Sequence, residues 1–259
     1  MFDFGTWVSG LIWLLPVSIG TWLVSVKNRN VSIVDILWAP MFVVLAIGYL
    51  YSSGTDVRGI VVTSLITLWA VRLAGYIAFR SRGEPEDYRY RTIRKNNEPG
   101  FWFKSLYIVF ILQAVIAWVV SLPLLASITS TSPLNWLDML GVAIVVFGIS
   151  YEAVADFQLY RFRVDPASHG KVLDSGLWRL SRHPNYFGNA CIWWGLFLIA
   201  ASAGAYWSVV SPILMTWLLL KFSGVALLEK TIVDRRTGYT DYIARTNSFF
   251  PGPKRLGKA

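Results

Sequence analysis

The stretch Trp178–Gly195, WRLSRHPNYFGNACIWWG, decides how this chain is built. Its first half is basic and rich in hydrogen-bond donors: Arg179, Arg182, His183 and Asn185. Its second half is an apolar helix, and no Lys, Arg, Asp or Glu follows until Lys221. Pro184 suits the first helical turn, where its missing N–H is not needed. A basic segment feeding a membrane-length helix is a natural anion site, because a helix N-terminus presents free backbone N–H groups and the positive end of its dipole. The same charge pattern would also serve as a basic anchor at a membrane boundary. Anchoring, however, requires neither His183 nor Asn185.

Outward from this stretch, apolar runs recur to both ends of the chain. Of the 259 residues, 55% are hydrophobic and 15% charged, where a soluble domain carries about a quarter charged. A span needs about 20 mostly apolar residues, and the runs are continuous where a β-barrel strand would alternate. The expected fold is therefore all-α, a single polytopic domain over 1–259. Seven spans are predicted, at about Trp7–Val26, Val31–Tyr51, Ile60–Phe79, Ser105–Ala126, Met139–Tyr160, Tyr186–Ala203 and Tyr206–Leu228. Pro123 marks an expected kink in the fourth. Polar, basic segments 80–104, 161–182 and 229–259 separate or follow them.

Placement of the basic residues sets the topology. Of 24 Lys and Arg, all but Arg58, Arg72 and Lys221 fall in the loops after spans one, three and five or in the tail. Lys/Arg excess marks the cytoplasmic side, so the N-terminus is expected outside and the C-terminus in the cytoplasm. The net charge of +9 is what this insertion rule alone produces, and nucleic acid is not an expected partner. The start, MFDFG, lacks a positive region, and its apolar run is expected to be retained as a span. Cys191 is the sole cysteine, and His169 and His183 are the two histidines. Neither a disulfide framework nor a His/Cys zinc site is expected.

Charges inside a bilayer are costly and usually face a partner or a cavity. Asp35, Arg72, Glu152, Asp156 and Lys221 all fall within spans, in their cytoplasmic halves. Lys221 can reach the interface with its long side chain. Glu152 and Asp156 are four apart and share a helix face, as do Arg72 and Tyr76, and Asn185 and Asn189. One reading is a structural salt-bridge cluster with Arg72 on a carboxylate. The other is a polar cavity open to the cytoplasm, lined by Arg72, Tyr76, Glu152, Asp156, Asn185 and Asn189. Around its mouth the loops carry Arg82, Arg89, Arg94, Arg161, Arg163, Lys171, Arg182, Arg235 and Arg236, whose guanidinium forks suit phosphates. No GxGxxG or GxxxxGK[ST] occurs, so a nucleotide would bind among helices and loops. Ser181 lies near His183 but in no nucleophile elbow.

These residues give the chain a resemblance to the membrane steroid 5-alpha-reductase family, in particular its bacterial relatives. The likeness rests on ADFQLYRFR (155–163), on Gly176, Leu177 and Trp178 ahead of Asn185 and Gly188, and on Arg72 with Tyr76 followed by Arg82-Gly83-Glu84-Pro85. The tail YTDYIARTNSFFPG (239–252) adds to it. The resemblance implies a seven-helix fold, integral to the bacterial inner membrane, that reduces the 4,5 double bond of 3-oxo-4-ene steroids with NADPH. It implies cofactor contacts at Arg72, Tyr76, Arg82, Glu152, Asp156, Arg163, Lys171, Asn185 and Arg235, and the basic stretch, the cavity and its mouth add Arg89, His183 and Asn189 as expected cofactor contacts. It also places Asp35 where the family has a catalytic Glu that hydrogen-bonds the steroid C3 ketone. Such a carboxyl must be protonated to donate, and an apolar setting favours the neutral acid.

This chain departs from the family at several points. The family's ketone-binding Tyr falls at Trp69, whose N–H can donate but does not readily transfer a proton. The acidic residue after the matched Asn is Asn189. Glu229-Lys230 and Asp234-Arg235-Arg236 stand where eukaryotic members have a His-rich end. Asp35 has two structural alternatives, partner of Arg72 or cap of the second helix. The RHPNYFG stretch with Glu229 also resembles S-adenosylmethionine-dependent membrane methyltransferases of the isoprenylcysteine carboxyl and phospholipid type. Asp35 and ADFQLYRFR favour the reductase. The expected partners are a steroid-like substrate entering from the bilayer, and membrane lipid, with no metal.

Overall fold

The computed structural model describes residues 2–223 and 238–254. Among them there is no β-strand: the elements are helices and turns. Asp3 starts the first, α1 (Phe4–Asn28), by accepting the Thr6 N–H, and Arg29 in the left-handed region ends it. Then come α2 (Ile33–Ser53), α3 (Val57–Arg80) and a short polar helix, α4 (Tyr88–Asn97). The next apolar run is α5 (Phe101–Ser105), a π segment Leu106–Ile111 and α6 (Leu112–Val120), which together form one continuous rod.

The chain then breaks at Ser121, and α7 (Leu122–Ile128) starts a new helix with Pro123 in its first turn. The kink expected at Pro123 thus falls two residues earlier, because the proline ring excludes the carbonyl of the preceding turn. Ser121 Oγ lies 2.8 Å from the Tyr49 hydroxyl, so the broken turn gains a buried partner. After it come α8 (Trp136–Val164), two 3-10 turns at Pro166–Ser168 and Gly176–Arg179, α9 (Pro184–Ser202), α10 (Val210–Leu218), a π segment Leu219–Ser223, and α11 (Tyr239–Arg245).

Five helical runs are long and apolar enough to cross a membrane: Phe4–Asn28, Ile33–Ser53, Val57–Arg80, Phe101–Val120 and Trp136–Val164. These match the first five predicted spans to within four residues at their starts. The sixth and seventh are not among them. The sixth corresponds to α9, which carries Asn185 and Asn189 in its first turns. The seventh begins as a 3-10 turn at Tyr206–Val209 and continues through α10, and its predicted end at Leu228 lies outside the described residues. Exposed Phe4, Tyr51, Trp136 and Tyr206 sit at helix ends or turns next to them, as interfacial aromatics do.

The chain divides into two compact units, Met1–Asn135 with Ala200–Ser208, and Trp136–Ile199 with Val209–Ala259. In the first, α2 packs against both α1 and α3, and its Val34, Met41, Phe42, Leu45 and Tyr49 are fully buried. In the second, α8 and α9 run antiparallel with their backbones in contact. A Cβ on Gly148 would lie 2.6 Å from the Gly188 carbonyl, and one on Gly141 2.7 Å from that of Gly195. The reverse clashes, Gly188 on Gly148 and Gly195 on Gly141, both come at 2.8 Å. In lipid no hydrophobic force favours one helix pair over another, so close backbone approach over small residues supplies the packing.

Candidate functional site

Glycine-to-glycine contact fixes the register of α8 on α9, and the register decides which polar side chains meet. One turn along from Gly148, Glu152 Oε1 accepts from Asn189 Nδ2 at 3.3 Å. One turn further, Asp156 Oδ1 accepts from Asn185 Nδ2 at 3.2 Å. The two pairs, each four residues apart on its own helix, stack as rungs of a ladder. Glu152, Asp156 and Asn189 are buried, and Asn185 is half-buried. Asn189 Oδ1 is buried with no hydrogen-bond partner, an acceptor open to a donor. The structure thus brings together four of the predicted site residues.

The polar half of the opening stretch is fixed by the tail. Arg182 donates its backbone N–H to the Asn247 carbonyl at 2.9 Å and its guanidinium to the carbonyls of Ile243 and Thr246. Ser181 Oγ donates to the Phe249 carbonyl at 2.8 Å and accepts the His183 N–H at 3.1 Å. The Tyr242 hydroxyl donates to the Trp178 carbonyl, and burial raises its pKa, so it keeps its proton. Arg245 pairs with Asp174 at 2.6 Å. On the other side, Trp178 Nε1 donates to the Ala155 carbonyl at 3.0 Å, and Leu177 N–H to Gln158 at 2.9 Å. Gly176 is required here: its φ is +56°, and a Cβ would lie 2.6 Å from the Gln158 amide. Predicted site residue His183 is buried and stacks on Tyr186, with ring centroids 5.4 Å apart. Arg163, in the last turn of α8, and Lys171, on the segment that follows, are exposed. Arg235 lies outside the described residues.

In the first unit the cluster forms around Asp35. Arg89 donates to Asp35 Oδ2 at 2.7 Å, and the Tyr90 hydroxyl donates to Oδ1 at 2.5 Å. Arg72, the alternative partner considered from sequence, is not on this carboxylate. Asp87 caps α4 by accepting the Arg89 N–H at 2.9 Å, and its own N–H donates to Ser32 Oγ at 2.8 Å. Glu86 takes the Val31 N–H at 2.9 Å and Arg94 at 2.7 Å. The loop after α3 is thus folded back onto the turn between α1 and α2.

The electrostatics follow from these contacts. Partial burial acts to raise the Asp87 carboxyl, but hydrogen bonds and charge from Arg89, with the charge of Arg80, outweigh it and hold the group below its ordinary 3.8. Burial acts to lower Arg89, and Asp35 and Asp87 more than offset it, so the guanidinium stays charged. Burial and the Asp35 charge both raise Tyr90, which remains a donor. With two donors on it, Asp35 is an acceptor in this arrangement.

Trp69 is fully buried, its ring 5.9 Å from that of Phe42, as packing would have it. Arg72 and Tyr76 are half-buried on α3, and Arg82 is exposed. Arg80 lies over the Tyr76 ring at 5.5 Å. Sequence reasoning missed Tyr90, whose only signal was its place beside Arg89 in the run RYR. It also missed Ser32 and Gln158.

Fold and site together define a helical protein of membrane character with two polar clusters, one on α2 and α4 and one on α8 and α9. The chain belongs to the DUF1295 family, described as a protein of unknown function, whose model matches residues 21–246. That match takes in both clusters. The chain is also 30% identical, over 89% of its own length and 75% of the relative's, to an uncharacterized protein of Schizosaccharomyces pombe. No solved structure matches it.

Proposed function

We propose that this protein is an NADPH-dependent reductase of the 4,5 double bond of 3-oxo-4-ene steroids or a related enone lipid. The observation that carries the reading is the buried ladder of Glu152–Asn189 and Asp156–Asn185. Its unpartnered acceptor, Asn189 Oδ1, fits a ligand that brings N–H or O–H donors, and NADPH carries both. The relation of the family to steroid 5-alpha-reductase-like proteins supports the same reading. Glu152, Asp156, Asn185 and Asn189 would hold the polar end of the cofactor, and Arg163 and Lys171 would take phosphate charge. Bound NADPH supplies the hydride.

The remaining chemistry falls to the chain. Reduction of the enone drives negative charge onto its carbonyl oxygen, and a donor aimed there stabilises the enolate by a few kcal/mol. Asp35 can donate only when protonated, and its contacts with Arg89 and Tyr90 are those of an acceptor. Tyr90 is the member of the pair that carries a proton. We assign polarisation of the carbonyl to the Tyr90 hydroxyl, which would turn its one proton from Asp35 to the substrate oxygen, with Asp35, held by Arg89, keeping it in position.

Saturation binding tests the reading, with NADPH and S-adenosylmethionine titrated separately into the purified protein. NADPH is expected to bind, and Asp156→Ala and Arg163→Ala each to weaken it about tenfold or more, the loss of a charged hydrogen bond. Unchanged affinity in both variants removes this site. Saturable binding of S-adenosylmethionine without NADPH makes the protein a methyltransferase instead.

A further inference from the structure

The four cations of α4 divide into two kinds. Arg89 is held by Asp35 and Asp87, and Arg94 by Glu86. Arg91 and Lys95 are exposed, and among the described residues neither has an ion-pair partner. They are four apart and lie along one flank of the helix. The inner face carries Tyr90 and Ile93, which pack with Val31, Val34, Phe101, Val109 and Phe110.

The position of that flank is constrained by what lies on either side of it. Runs of spanning length end at Arg80 before α4 and begin at Phe101 after it. Only Glu98, Pro99 and Gly100 separate α4 from the second run, a reach of at most about 11 Å. Two contacts shorten it: Lys104 Nζ donates to the Asn97 carbonyl at 2.9 Å, and the Arg94 guanidinium lies 4.5 Å from the Phe101 ring centre. The first turn of that run exposes Trp102 and Phe103, at 60% and 51%. Exposed aromatics at the start of a span belong at the headgroup level. Glu98, at this end of the helix, faces the Phe101 N–H at 3.4 Å. An unpaired basic flank is therefore tied directly to an interfacial aromatic anchor.

We propose that the α4 flank formed by Arg91 and Lys95, with Trp102 and Phe103 beneath it, is a docking surface for the anionic phospholipids of the membrane that holds the protein. The arginine and lysine meet headgroup phosphate and carboxylate, and the aromatics fix their depth. Each cation near an anionic surface favours contact about fivefold, so the pair gives about 30-fold. The surface does not depend on the proposed reductase activity.

The test uses full-length protein with Thr92→Cys in a Cys191→Ser background, labelled with an environment-sensitive fluorophore and reconstituted in nanodiscs. Discs of phosphatidylcholine alone are compared with discs of rising phosphatidylserine content. The expected result is a blue shift that follows phosphatidylserine and reverses at about 0.5 M NaCl, where screening is strong. Arg91→Gln with Lys95→Gln should raise the phosphatidylserine content at the midpoint about 30-fold, in practice beyond the accessible range. Arg91→Lys with Lys95→Arg should retain the response. The three positions changed on α4, Arg91, Thr92 and Lys95, are exposed, and equal thermal unfolding of the variants checks that they fold. Identical emission in both kinds of disc, or a shift that survives the double Gln variant, overturns the proposal. So does an equal shift produced by inorganic phosphate in neutral discs, which would mark a soluble-anion site.

Discussion

Asp35 shows how one residue's role depends on partners far along the chain. Its carboxylate is shared between Arg89 and Tyr90, at 2.7 and 2.5 Å, so variants at these positions separate structure from chemistry. Asp35→Ala is expected to abolish reduction of a 3-oxo-4-ene steroid while NADPH binding survives. Asp35→Asn, which keeps the size and can still accept from the Tyr90 hydroxyl, is expected to retain part of the activity. Turnover assays beside NADPH titrations distinguish the outcomes: joint loss of binding and folding makes Asp35 structural, and full turnover in the Ala variant moves carbonyl recognition elsewhere. Tyr90→Phe removes the hydroxyl and should cost about 1 kcal/mol of stability, with a larger fall in kcat if that hydroxyl polarises the carbonyl. A purely structural Tyr90 would lose stability and keep kcat.

At the scale of elements, the α8–α9 contact and the α4 clasp make separate predictions. Gly148→Ala puts a methyl group 2.6 Å from the Gly188 carbonyl, and backbone cannot yield as a flexible side chain does. The helices must part, at about 1–3 kcal/mol, and the Glu152–Asn189 and Asp156–Asn185 rungs open with them. Both lower thermal stability and weaker NADPH binding are expected. Gly75→Ala in α3 is the control, because its Cβ meets nothing within 4 Å, and mid-helix Ala is favoured over Gly by about 0.5–1 kcal/mol.

The clasp adds a pH dependence. Asp87 is held below its ordinary 3.8 in the native state, so the stability it lends α4 is complete above that value. It is lost as pH falls through the lower native value. Cleavage of the 80–104 segment by pepsin should therefore rise steeply in that acid window. Asp87→Asn keeps a cap acceptor but removes this titration, and should flatten the rise.

For the whole molecule, the basic segments predict orientation. A reporter fused after Ala259 should read cytoplasmic, and one inserted at Thr55 should read on the opposite side. Reversed readings would overturn the placement of α4, of the tail and of the basic segment 161–182 together, since all three rest on one count of Lys and Arg.

The sequence alone determined five long apolar helices and which of their residues share a face. Hydropathy over a window of about 20 residues is a local property, and it located five membrane-length runs to within a few residues. A spacing of four puts Glu152 with Asp156 and Asn185 with Asn189 on common faces whatever the tertiary structure. Which face meets which was settled by packing: Gly148 and Gly188 had to touch before Glu152 could reach Asn189. The partners of Asp35, the docking of the 80–104 segment on Val31 and Ser32, and the tail bonded to Arg182 join residues more than fifty positions apart. No periodic pattern encodes such contacts. They exist because buried donors and acceptors must be satisfied, and the chain's path through space decides which groups are near enough to do it.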